Sequence, residues 1–167
     1  MTSQTGHGPV PLTRLEEWAS AADPQLRYLA FHTVYVHPGD VPGLSGARRI
    51  ELCIEFLEEA LAGTFGSALP DGPYVWAHTV LGWLNQLSTS KDPNADPAKA
   101  AILAMLQRLA RSDDQRTREV VLLGVLEHAF DDSELRALFD GWASDPELAT
   151  LHREALRLSG AIDGGSN

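Results

Sequence analysis

The chain has 167 residues, 44% of them apolar, and 13 Lys plus Arg against 23 Asp plus Glu give it a formal net charge of −10. One domain of this size buries about two thirds of its unfolded surface without a disulfide or metal, and the single Cys53 excludes an internal disulfide. The acidity disfavours nucleic acid and anionic membrane as partners and favours a basic protein.

Four cations face nine acids in residues 1–90 and nine face fourteen in residues 91–167, so each part carries −5 and the acidity is spread along the chain. No apolar stretch approaches the roughly 20 residues that cross a bilayer. The opening Met-Thr-Ser-Gln-Thr-Gly-His-Gly-Pro lacks a basic region followed by an apolar run, so a cytoplasmic location is expected. Only Lys91 and Lys99 among the 13 cations are lysines, and with abundant Ala and Leu this resembles the coding of a GC-rich bacterium.

Thr13 and Glu16 have capping-box spacing, predicting a first helix through Trp18 to about Ala22. Asp23-Pro24 opens a second, because Asp can accept from exposed backbone amides and Pro at the first helical position loses nothing by lacking an N–H. Its inward face is predicted as Leu26, Leu29, Ala30, Thr33 and Val34, and His37-Pro38-Gly39 stops it. The third helix, about Ala47 to Ala62, turns Ile50, Cys53, Ile54, Leu57 and Leu61 inward and ends at Gly63. Residues 63–73 form a loop. Trp76, Val80, Trp83, Leu84 and Leu87 recur at helical spacing in a fourth helix, and residues 88–95 form a polar joint.

Asp96-Pro97 is read as the opener of a fifth helix with Ile102, Met105, Leu106 and Leu109 on one face. In the sixth, about Asp114 to Phe130, apolar residues point nearly all round, so this helix must be central. Gly124 inside it sacrifices about 1 kcal/mol of helix propensity, which calls for a neighbouring helix crossing closely there. Asp131-Asp132-Ser133-Glu134 caps a seventh helix through Trp142. Asp145-Pro146 opens an eighth, ended by Gly160. Residues 1–11 and 161–167 are read as flexible ends around one all-α domain, 12–160.

The phrase Asp23-Pro24-Gln25-Leu26-x-x-Leu29 returns as Asp145-Pro146-Glu147-Leu148-x-x-Leu151. It resembles helix starts in HEAT-like α-solenoids, and the resemblance implies about eight short antiparallel helices in an irregular stack. A compact multi-helix bundle is the alternative.

Motifs for chemistry are incomplete. Asp92, Asn94 and Asp96 have the spacing of calcium-loop positions 1, 3 and 5, but Pro97 stands where that loop needs Gly and Leu103 where it needs Glu; a turn explains these residues. Ser88-Thr89-Ser90-Lys91 matches Ser-x-x-Lys without its companion motifs. No two histidines stand three or four apart, so no metal or other cofactor is expected; a site assembled across helices would draw on His78, His128 and His152. No catalytic set is expected.

Surface charge remains. Glu51, Glu55, Glu58 and Glu59 fall within about a 100° arc of the third helix, one acidic stripe towards solvent. Like charges at this spacing are mildly destabilising unless a partner uses them. Asp131, Asp132 and Glu134 form a second acidic group. These seven residues are the expected partner-binding set. In size, acidity and lack of a catalytic set the chain resembles the small acidic immunity proteins of bacterial toxin systems, which implies neutralisation of a basic toxin. A helical adaptor binding a peptide or partner domain is the alternative, and a helical metalloprotein or enzyme with a site built across helices the second.

Overall fold

The computed structural model describes residues 8–160. Helix accounts for 71% of them and none is in a strand, so the fold is all-α. Eight helices follow in chain order: α1 (Leu12–Ala19), α2 (Pro24–Val36), α3 (Gly46–Leu61), α4 (Pro73–Thr89), α5 (Ala95–Ala110), α6 (residues 115–129), α7 (Ser133–Ala137) and α8 (Ala149–Leu158). Short 3-10 turns lie at Pro38–Asp40 and Asp140–Ser144. No described helix is long and apolar enough to cross a membrane.

The chain divides into two compact units, residues up to Phe56 and residues from Leu57 onward. The division falls inside α3, and the polar connector between α4 and α5 lies within the second unit. The expected flexible end at 161–167 and residues 1–7 of the other lie outside the described residues. Val10, within that other end, donates its N–H to the Asp40 carbonyl at 2.8 Å.

In the first unit Leu15, Phe31, Val34, Leu52, Cys53 and Phe56 are buried. The Phe31 and Phe56 rings stack at 4.5 Å. Arg49 donates from Nε to the Val34 carbonyl at 2.7 Å and from an Nη to that of Tyr35 at 3.2 Å, satisfying carbonyls that the end of α2 leaves open. Burial pushes the Cys53 thiol up to about 12, as expected for an inert core cysteine.

Two local expectations change here. Thr13 does not cap α1: Pro11 holds the cap position without a side-chain bond, and Glu16 is drawn instead to Arg48. Leu26 and Leu29 are 36% and 41% exposed, and Phe31 takes the inward place with Ala30, Thr33 and Val34. The aromatic at position 31 finds Phe56, and that pairing rotates α2 away from its leucines.

In the second unit α4 packs along α6. The backbone at Val120–Leu126 is π-helical between α-helical turns, Gln115–Glu119 and Glu127–Ala129. Val120, Val121, Val125, Leu126 and Phe130 are buried, while Leu122 is half-buried and Leu123 exposed, so the helix is central but not enclosed on all sides. A Cβ built on Gly124 would lie 2.7 Å from the Ala77 Cβ and 3.3 Å from a Tyr74 ring carbon. The missing side chain thus permits the close crossing that the sequence calls for. Gly63, at φ 74°, ends α3 with Thr64 N–H donating to the Glu59 carbonyl and Gly63 N–H to that of Ala60, the left-handed stop that glycine favours.

Asp96 is not the cap of α5. Asn94 holds that position, and Asp96 instead pairs with Lys99 Nζ at 2.8 Å. The seventh helix stops at Ala137, and Trp142 is buried from the 3-10 turn that follows.

Candidate functional site

The α3 carboxylates do not form one open stripe. Arg48, on the first turn of the same helix, donates from Nε and one Nη to the two carboxylate oxygens of Glu16 at 2.8 and 2.7 Å. Its other Nη reaches Glu51 at 3.0 Å and Glu55 at 3.3 Å. This hydrogen-bonded pairing holds the Glu16 carboxyl below its ordinary value, and Glu16 first, then Glu51, raises the Arg48 guanidinium. One cation therefore gathers three carboxylates, leaving a local charge of −2.

Glu58 is half-buried and forked to Arg108, with Nε and an Nη donating at 2.8 Å each. Glu59 is also half-buried, and its Oε2 is shielded from solvent. Of the four, only Glu51 and Glu55 are exposed. Three- and seven-residue spacing from Arg48 to Glu51 and Glu55 was readable as an i, i+3 and i, i+7 alignment. The long-range partners Glu16 and Arg108 carry no such signal.

The second acidic group is more open. Asp131, Asp132 and Glu134 are all exposed. One Asp132 oxygen accepts from the Glu134 and Leu135 N–H groups at 2.8 and 3.1 Å, capping α7. None of the ion pairs among the described residues involves any of the three. Asp145 and Glu147 differ, since Arg111 binds one oxygen of each at 2.6 Å. The second unit carries nine cations against seventeen acids in sequence, a net −8, whereas the first carries four against six, a net −2.

The remaining motifs resolve into local structure. Asp92 accepts from the Asn94 N–H at 2.8 Å, a turn closure. The Ser88 hydroxyl donates to the Leu84 carbonyl at 2.9 Å within α4. No group of three or more His, Cys, Asp or Glu is placed to hold a metal ion among the described residues.

The histidines separate into distinct environments. His78 and His128 converge, with ring centroids 5.3 Å apart. His152 is buried and packs edge-on against Phe130 at 5.1 Å; burial lowers its pKa, against the attraction of Asp140. His32 and His37, at 5.8 Å, meet near the end of α2. Compared with known protein families, curated proteins and solved structures, the chain finds no match.

Proposed function

We propose that the protein is a non-enzymatic binding module that engages a basic protein, in the manner of an immunity protein neutralising a cationic toxin. The carrying observation is the exposed Asp131, Asp132 and Glu134 corner of the second unit, whose carboxylates have no ion-pair partner among the described residues. Fixed anions in a field of net −8 steer an oppositely charged partner and pair with its Lys and Arg on contact. Glu51 and Glu55 extend the recognition set on the first unit. Glu58 and Glu59 contribute less, because Arg108 occupies one and the other is half-buried.

The test is association with a basic protein encoded beside this chain. The proposal expects binding that weakens steeply with salt and slows by roughly tens-fold in an Asp131→Lys, Glu134→Lys variant, since rim charges act on the association rate. Asp132 is left intact to preserve the α7 cap. Unchanged association in that variant, or a neighbourhood of metabolic genes only, would defeat the reading.

A second reading, a helical adaptor, is favoured by a different observation. Leu26, Leu29 and Val36 stand exposed on α2 and offer an apolar contact to a peptide or partner domain.

A further inference from the structure

We infer that His78 and His128 form a solvent-facing two-histidine site for a zinc-class transition-metal ion that ties α4 to α6. The site follows from the close crossing of α4 and α6 at Gly124. Gly124 admits Ala77 against the α6 backbone; His78 is the next residue after Ala77, and His128 lies one turn beyond Gly124. The crossing therefore brings together two imidazoles that are distant in sequence.

Their separation suits a shared ion. Metal–nitrogen bonds of about 2.0–2.1 Å, ring centres about 1.1 Å further out and a tetrahedral angle place the centroids of two ligating imidazoles about 5.2 Å apart. The observed separation is 5.3 Å, with 37° between the ring planes. Both residues are exposed, so an ion enters without opening the core. Imidazole pairs suit zinc, copper and nickel and disfavour magnesium and calcium, which take oxygen.

With no third His, Cys, Asp or Glu grouped beside them, the remaining coordination positions belong to water or to a donor from another molecule. The net charge of −8 on the second unit raises the local cation concentration. Such an ion binds only the folded crossing and stabilises it by mass action. This inference is independent of the toxin-binding reading.

The test titrates zinc chloride into the full chain at neutral pH, followed by calorimetry and thermal unfolding. One saturable site of roughly tens of micromolar affinity or tighter is expected, with a melting temperature that rises as free zinc rises. His78→Gln and His128→Gln should each weaken binding about tenfold or more, and magnesium should not substitute. Both side chains are exposed, so these variants should fold; in the unsubstituted protein, line broadening by nickel at the His78 and His128 ring resonances provides a second readout. Binding unaffected by either substitution, binding lost only in a His32→Gln, His37→Gln variant, broadening confined to other histidines, or no saturation below about millimolar zinc would each overturn the assignment.

Discussion

The Asp-Pro-x-Leu-x-x-Leu phrase occurs twice and meets two fates. At its first occurrence Asp23 accepts from the Gln25 N–H at 2.9 Å and α2 begins at once on Pro24, but Leu26 and Leu29 lie on the exposed side. At its second, Asp145 accepts from the Glu147 and Leu148 N–H groups at 2.9 and 3.2 Å. A single turn intervenes before α8 begins at Ala149, and Leu148 is only 1% exposed. Capping chemistry is local and repeats with the residues. Burial depends on what lies alongside, and does not repeat.

The largest test of this contrast is the leucines themselves. Leu148→Ala should cost about 2–5 kcal/mol, as expected for a buried leucine, whereas Leu26→Ala or Leu29→Ala should cost under about 0.5 kcal/mol. Urea unfolding of the three variants measures this directly. Similar losses at Leu148 and Leu29 would show that the first phrase is buried like the second.

Gly124→Ala sets the same conflict between local and tertiary preference at one position. Helix propensity alone favours the change by about 1 kcal/mol, but the new methyl would press on the Ala77 Cβ, so a net loss of about 1–3 kcal/mol is expected. Adding Ala77→Gly should recover part of it. A stabilised Gly124→Ala protein would mean that the helices cross with room to spare.

The smallest effect is expected from the two caps. Asp145 is partly buried, which raises its carboxyl pKa, but the Glu147 and Leu148 N–H groups and Arg111 outweigh this and leave it lowered. A lowered carboxyl stabilises the fold above its unfolded value near 3.8, and the contribution is lost as pH falls through the lower folded value. Asp145→Ala should therefore reduce the melting temperature more than Asp23→Ala at neutral pH, because Arg111 also loses an anion there. The difference should shrink in strong acid. Equal effects at every pH would remove Arg111 from the account.

Much of the site was legible in part. The run Asp131-Asp132-Ser133-Glu134 was legible as a helix cap, whereas the structure shows that Asp132 is the capping residue and that Asp131 and Glu134 are exposed. The α3 stripe was legible as a helical arc, but its openness was not. Arg108 reaches Glu58 through tertiary geometry, whereas Arg48 meets Glu51 and Glu55 from the first turn of the same helix, and Glu59 is half-buried by its surroundings. The His78 and His128 pair was invisible as spacing, because two helices have to cross before the rings meet.

The sequence by itself determined the all-α class, most helix positions and ends, the inward faces of α4 and α5, and the need for a close approach at Gly124. Each follows from interactions within a turn or two of the backbone: capping, a 3.6-residue apolar period, and glycine where a side chain or a right-handed backbone does not fit. Only the tertiary structure decided which leucines of the repeated phrase are buried, that the compact units divide within α3, and that Glu16 and Glu58 pair with arginines distant in sequence. Those outcomes depend on side chains brought together from distant parts of the chain, and a local period fixes which residues share a face without fixing what that face meets.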